Sequence, residues 1–319
     1  MSLSEQPIVS VVIPAYNCAT SIRRCIASIL SADHYDVEVI VVDDGSTDET
    51  ADIVKYEAAH DSRIVYLRQE NQGSSAARNT GIEYANGKIL MFVDSDDEID
   101  CTALDILAKF ISSYAGDVIS LSYELIDGSE VERHRPPVDI DRRSIRCIGT
   151  GNDAIKLVYS GELENYSWSY AYKAEFIKNY RFRPEFRILE DAVFIHEVLP
   201  EAESVWIVNG PPLYRYYMND KSLVHVHDNN KAINAFNAIA LIGEDVDVPD
   251  SYLNKLALFA ASIVDYCSSD WKRVYQLIRH YMINNLDLGS LSLRDKLRAL
   301  LVLGNLYPQI MLAKKRLSR

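Results

Sequence analysis

Basic excess is what this chain of 319 residues most plainly lacks. It carries 33 Lys and Arg against 46 Asp and Glu, a net charge of −13 at neutral pH. Such a balance argues against general nucleic-acid binding. It does not bar an anionic nucleotide, because a bound metal inverts local charge. Cysteine is scarce: Cys18, Cys25, Cys101, Cys147 and Cys267 are odd in number, scattered and free of any C-x-x-C pair. That is the usage of reduced thiols in a cytosolic protein, not of a disulfide framework. No apolar run reaches the 18 or so residues of a membrane span, and no basic stretch leads into an apolar one at the N-terminus, so no signal peptide is expected. The glycine patterns G-x-G-x-x-G and G-x-x-x-x-G-K-[ST] are missing, which removes the common dinucleotide and P-loop readings. Internal repeats and low-complexity tracts are missing too. What remains, 48% hydrophobic and 25% charged residues, is the composition of an ordinary soluble globule.

What is present is alternation. Ile8 to Ile13 is a β-rich run stopped by Pro14, and Val37 to Val42, Arg63 to Leu67, Ile89 to Val93 and Asp117 to Leu125 read as further strands. Between them lie helical patterns. Asn17 is positioned to cap the first, whose apolar face includes Ile22, Ile26 and Ile29. Ser46-Thr47-Asp48-Glu49 reads as a capping box opening the second, through about His60. Ser74 to Ala85 and Thr102 to Tyr114 complete the set. Near-continuous apolar strands separated by helices predict a mostly parallel α/β sheet covered on both faces. Residues 127–149 are polar, hold Pro136-Pro137 and read as a loop excursion. From about Asn229 the pattern is helical to the end.

The unusual polar chemistry falls at predicted strand ends, where ligands gather in such sheets. These ends carry Pro14-Ala15-Tyr16-Asn17, Asp43-Asp44-Gly45-Ser46, Gln72-Gly73 and Asp94-Ser95-Asp96-Asp97. The strand runs straight into three acids, and since strands alternate faces, Asp94 and Asp96 are expected to point the same way. Paired carboxylates on one side favour a cation between them, and hard divalent ions take oxygen ligands from few carboxylates plus substrate phosphates. A solvated acidic turn is the competing reading of the motif taken alone.

Together, Val11-Val12-Ile13-Pro14-Ala15-Tyr16-Asn17, Val41-Val42-Asp43-Asp44-Gly45-Ser46, Asn71-Gln72-Gly73, Ala77-Arg78-Asn79 and Phe92-Val93-Asp94-Ser95-Asp96-Asp97 resemble the family 2 glycosyltransferases with the GT-A fold. Trp168, Tyr172-Lys173, Glu190-Asp191 and Tyr214-Arg215-Tyr216 continue the resemblance, and nothing beyond about residue 230 does. It implies a Rossmann-like GT-A domain over residues 1–228 and a helical C-terminal region over 229–319. It also implies an inverting transferase that takes a nucleotide-diphospho-sugar, with uracil the expected base, and uses Mn²⁺ or Mg²⁺. By the same resemblance Asp94 and Asp96 make metal or ribose contacts. Pro14, Tyr16, Asp43, Asp44, Gly73, Arg78, Asp94 and Ser95 form the nucleotide-sugar site, with Asp191 as general base and Glu190 beside it. The acceptor is expected to be a glycan or lipid-linked glycan of a cell-surface polysaccharide such as capsule or lipopolysaccharide.

The residues are compatible with those roles and with plainer ones. Asp43 and Asp44 suit nucleoside contacts or a turn that starts a helix. Tyr16 suits base stacking or core packing. Arg78 suits a fork onto phosphate or a structural ion pair. An acid pair opening an apolar helix stays ionised in the field of the helix end, which suits a base or a cap. His225 and His227 are candidates for a late metal contact or a solvated loop. Trp168, Tyr170 and Tyr172 suit a sugar platform or sheet core. Residues 294–319 hold seven basic residues and one acid around leucines, as an interfacial helix on anionic lipid would. A cytoplasmic protein touching the inner face of the cell membrane is therefore expected. A non-catalytic nucleotide-sugar or carbohydrate-binding protein of the same fold is the alternative.

Overall fold

A computed structural model describes residues 7–31, 37–100, 102–114, 116–127, 130–134, 144–218, 227–245, 247–266, 268–285, 293–304 and 307–309. The chain divides into two compact units, Met1–Pro184 with Phe194–Asn219, and Glu185–Val193 with Asp220–Arg319.

The first unit opens with strict alternation. Strands β1 (Val9–Ala15), β2 (Val37–Asp43), β3 (Ile64–Arg68) and β4 (Ile89–Phe92) are separated by helices α1 (Ile22–Leu30), α2 (Thr50–His60) and α3 (Ser74–Tyr84). There follow β5 (Glu98–Ile99), α4 (Thr102–Ser113), β6 (Val118–Ser120), β7 (Tyr123–Asp127), β8 (Glu130–His134), β9 (Ser144–Gly149) and α5 (Gly151–Ser160). Then come β10 (Tyr170–Lys173), α6 (Ala174–Ile177), β11 (Val205–Asn209) and β12 (Tyr214–Tyr217). Eight strands form one sheet in the order β3-β2-β1-β4-β10-β6-β11-β9, and four form a second, β5-β12-β7-β8. In the larger sheet β10 and β9 run against the other strands, so the sheet is mostly parallel. β1, β2 and β4 are buried along nearly their whole length, as central strands covered on both faces must be.

Helix α3 is small-residue-rich because it lies close on β1. A Cβ at Gly81 would stand 2.1 Å from Val12 Cγ1, so only glycine allows this approach. The second unit holds α7's start and four helices. These are α7 (Glu190–Val198), α8 (Asn229–Ile242), α9 (Asp250–Ser262), α10 (Trp271–Asn285) and α11 (Leu293–Leu303). Among the described residues no helix is long and apolar enough to cross a membrane.

Several local expectations are corrected. Asn17 does not cap α1, which begins at Ile22; it has φ +48° and its side-chain carbonyl instead accepts from the Thr47 amide at 2.8 Å. No capping box opens α2 at Ser46, because Asp43 Oδ1 takes the Ser46 amide at 2.8 Å and the helix starts four residues later at Thr50. The capping box among the described residues is Thr150 with Asp153, at the start of α5. The expected strand from Asp117 to Leu125 is two strands in two sheets. The chain changes sheet at Leu121–Ser122, where Leu121 donates to the Ser169 carbonyl at 2.9 Å and the Ser122 carbonyl accepts from Leu213 and Tyr214. The supposed loop at 127–149 contains β8 and β9.

Candidate functional site

β1 to β4 are mutually parallel, so the loops after them share one rim of the sheet. Two of those loops are laced together. After β1, the Asn17 amide donates to Ser46 Oγ at 3.0 Å and the Cys18 amide to Thr50 Oγ1 at 2.9 Å. In return Asn17 Oδ1 takes the Thr47 amide and Asp48 Oδ2 takes the Ala19 amide at 3.2 Å. Pro14 does not stop β1 as expected; it lies half-buried within the strand, which runs on to Ala15. Tyr16 stands half exposed on the rim, so it is not a core residue.

Asp43 and Asp44 are buried and already well supplied with donors. Asp43 accepts from the Ser46 amide, from Tyr66 Oη at 2.8 Å and from Arg68 Nη1 at 2.9 Å. Asp44 accepts from Gln69 Nε2 at 2.8 Å, the Gln72 amide at 2.9 Å and the Gly73 amide at 2.7 Å. The two carboxylates thereby fix the loop after β3 against the loop after β2. Gly73, at φ +95°, leads into α3 from a conformation that L side chains rarely adopt. Arg68 and Gln69 were not singled out from sequence, because the third strand was expected to end at Leu67. The visible signal was a cation at that strand's end, within reach of the neighbouring acids.

Strand β4 ends at Phe92, two residues before Asp94. The acids therefore do not sit on an extended strand, and alternation does not govern Asp94 and Asp96. They form a turn closed by the Asp97 amide donating to the Asp94 carbonyl at 3.0 Å. Arg78, buried on α3, donates through Nη2 to Asp94 Oδ1 at 2.9 Å. Arg24 of α1 donates to the Asp96 carbonyl at 2.6 Å, pairs with Glu98 at 2.8 Å and lies 4.0 Å from the centre of the Tyr217 ring. Ser95 hydrogen-bonds with the Cys18 thiol, whose pKa burial raises.

Tyr214 secures the turn from below. Its hydroxyl accepts from the Asp94 amide at 3.1 Å and donates to Asp97 Oδ2 at 2.7 Å, while the Tyr217 amide donates to Asp97 Oδ1 at 2.8 Å. Asp97 is fully buried. Burial, and after it the charges of Asp94 and Asp96, push its carboxyl well above the usual range despite those two hydrogen bonds. Trp168 stacks on Tyr214 with ring centres 4.4 Å apart. Of the aromatic run, Trp168, Tyr170 and Tyr172 are buried and serve as core; none of them offers a platform to solvent. The sequence shows Tyr214 only as part of the family pattern; the hydroxyl that closes the turn is visible only in three dimensions.

The turn meets a first test of fitness for a divalent ion. Its donors are hard oxygens, and burial, followed by the charges of Asp94 and Asp96, disfavours ionisation of Asp97. Among the described residues no three His, Cys, Asp or Glu side chains form a metal-holding group, so an ion here would need phosphate oxygens to complete its shell.

Glu190 and Asp191 occupy the first turn of α7. Leu189, just before them, has φ +62°, a strained conformation for a branched-chain residue, and its carbonyl accepts from the Val193 amide at 3.0 Å. Asn234 of α8 fastens the approach: its side-chain carbonyl takes the Arg187 amide at 2.7 Å and the Ile188 amide at 3.2 Å, and its amide donates to the Glu185 carbonyl at 2.6 Å. His227 is exposed, and His225 lies outside the described residues.

The family profile described as glycosyl transferase family 2 matches residues 10–180, more than half of the chain. EpsH of Bacillus subtilis (strain 168) is 28% identical over 86% of this chain and 82% of its own length. The crystal structure of S. aureus TarS 1–349 in complex with UDP-GlcNAc is similar with a TM-score of 0.57 at 19% identity, over 94% of this chain and 80% of that one. The mannosyltransferase PcManGT from Pyrobaculum calidifontis, in complex with GDP-Man and Mn²⁺, is similar with a TM-score of 0.54 at 16% identity, over 96% and 86%.

Proposed function

Because the chain belongs to glycosyl transferase family 2 and has the GT-A fold, we propose that this glycosyltransferase is an inverting one. It moves a sugar from a UDP-sugar to a glycan or lipid-linked acceptor in cell-surface polysaccharide synthesis. The observation that carries the reading is the Asp94–Asp97 turn. It stands on the same rim as Tyr16, Asp44 and Gly73, with Arg78 ion-paired to its first acid.

In this reading Pro14, Tyr16, Asp43, Asp44, Gly73, Arg78, Asp94 and Ser95 make the nucleotide-sugar site. Tyr16 offers its exposed ring to the base. Asp43 and Asp44 hold the Ser46 and Gln72–Gly73 loops in place, and each carboxylate keeps acceptor capacity beyond the bonds described above. Arg78, buried and ion-paired to Asp94, would offer its remaining donors to phosphate oxygens. Asp94 and Asp96 would hold Mn²⁺ or Mg²⁺. Such an ion supplies Lewis-acid stabilisation of the charge that grows on the leaving diphosphate. The bound Mn²⁺ of the mannosyltransferase with a similar fold favours metal use. Asp191 takes the proton of the acceptor hydroxyl as that oxygen attacks the anomeric carbon, and Glu190 orients it. The strain at Leu189 and the clasp by Asn234 support a held, pre-set position for this pair.

The basic C-terminal segment enters the proposal as a contact with anionic lipid at the inner face of the membrane. Helix α11 buries Ala299 and Val302 and leaves Leu297 and Leu300 more than half exposed. Residues 310–319, with four of the seven basic groups, lie outside the described residues. The deciding experiment for the whole reading is a donor-hydrolysis screen across nucleotide sugars with Mn²⁺ or Mg²⁺. Turnover of one UDP-sugar that vanishes in chelator is the expected result. Binding of a UDP-sugar with no turnover on any acceptor would favour the non-catalytic alternative.

A further inference from the structure

Strand β10 is antiparallel to β4, with Ala171 opposite Met91 and Lys173 opposite Ile89. Its beginning therefore lies at the end of β4, so the segment 164–169 shares the rim with the acidic turn. In the sheet order β1, β2 and β3 lie on one side of β4 and β10 on the other. The nucleotide residues of the proposed site occupy the first side. The second side is lined by the segment ahead of β10.

That segment is built rigidly. The Tyr166 carbonyl accepts from the Ser169 amide at 3.1 Å and from Ser169 Oγ at 2.8 Å. The Glu164 carbonyl accepts from Tyr170 Oη at 2.6 Å, and Glu164 Oε1 from Tyr123 Oη at 2.9 Å. Its large exposed side chain is Tyr166, 44% exposed. The ring is not loose: it lies parallel to Trp168, 6° between planes and 5.2 Å between centres. Trp168 in turn stacks on Tyr214, whose hydroxyl holds Asp97. An aromatic plate is thus fixed by a stack whose inner end is the acidic turn and whose outer end meets solvent. Pre-set aromatic faces of this kind suit rigid ligands with an apolar side, since little ordering cost remains on binding. The axial C–H groups of a pyranose make such a side, and its hydroxyls point away from it.

We propose that Tyr166 is the platform on which a pyranose ring of the acceptor stacks, on the side of the acidic turn away from the nucleotide. This rests on the glycosyltransferase reading above and adds the acceptor's class, a pyranoside presenting an apolar face.

The test uses the full chain. Saturation-transfer NMR is recorded with the methyl pyranosides of glucose, galactose, mannose, N-acetylglucosamine and N-acetylgalactosamine, and UDP affinity is measured in parallel with Mn²⁺. Saturation of protons on one ring face of at least one pyranoside is expected. Tyr166→Ala should weaken that binding about tenfold, Tyr166→Leu should weaken it similarly, and Tyr166→Phe should preserve it. UDP affinity should be equal in all four proteins. Absence of pyranoside contact in the unaltered protein overturns the proposal. So does contact that survives in Tyr166→Ala or Tyr166→Leu, or loss of UDP affinity along with it. Pyranoside contact that follows Tyr166 in a protein without UDP affinity would leave the platform standing and remove the donor assignment.

Discussion

Arg78 and Asp94 form an ion pair at 2.9 Å in which the guanidinium side is 4% exposed and the carboxylate side 28%. The cation is therefore committed to the interior while its partner reaches the surface. A buried charge that loses a partner is costly, whereas a surface carboxylate removed alone is not. Asp94→Ala is expected to lower both activity and stability, the latter by about 1–3 kcal/mol once solvent screening at Asp94 is allowed for. Asp96→Ala is expected to abolish metal-dependent donor turnover. Denaturant titration beside a hydrolysis assay reads both. Unchanged stability in Asp94→Ala would contradict the asymmetry.

The acid pair of α7 gives a second expectation. Asp191→Asn keeps the shape and removes the basicity, so turnover should fall roughly a hundredfold or more with donor affinity retained. Leu189→Gly relieves a left-handed conformation that costs about 1–2 kcal/mol and adds chain entropy of slightly smaller size. Because Leu189 is half-buried, the apolar burial given up offsets that relief, and the melting temperature should change little while turnover falls. A drop in stability with full turnover would make Leu189 a packing residue only.

Gly81 ties fold to site. Gly81→Ala must push α3 away from Val12, at a cost of about 1–3 kcal/mol. Since Arg78 rides on the same helix, affinity for UDP should weaken too. Thermal denaturation and UDP titration together check this, and an unchanged melting temperature would be the contrary result.

For the membrane contact, the two exposed leucines of α11 are the place to strike. Leu297→Glu with Leu300→Glu should end flotation on anionic vesicles, leaving the melting temperature within a few degrees, because neither side chain is core. Salt-insensitive failure of the unaltered protein to float would dispose of the idea.

The apolar strands were legible because each run is short and β-rich, and three of them, ending at Ile13, Val42 and Val93, are followed directly by Pro or Asp. What sequence could not supply was set by distant partners. Asn17 reads as a cap until Thr47, 30 residues on, takes its side chain. Alternation past Phe92 fails because the Asp97 amide turns back on Asp94. The run from Asp117 to Leu125 is one strand by pattern, and divides only because Ser169 and Leu213 claim its middle. Likewise an aromatic residue at every second place in 166–172 says nothing about which ring faces water. Burial decides that Tyr170 and Tyr172 are core and that Tyr166 is not.

The insertion of β10 between β4 and β6 also has a bearing on how this protein comes to be folded. β4 and β6 are never neighbours; β4 has β1 on one side and β6 has β11, and residues 170–173 supply the second partner of both. A growing chain that has produced only the first 160 residues holds two strand edges with bare amides and carbonyls, a template for pairing with other chains. Closing the sheet then requires contacts across some 50 to 80 residues, the long-range kind that slows folding. Fragments cut before Tyr170 should therefore aggregate, even though they contain every acid of the rim.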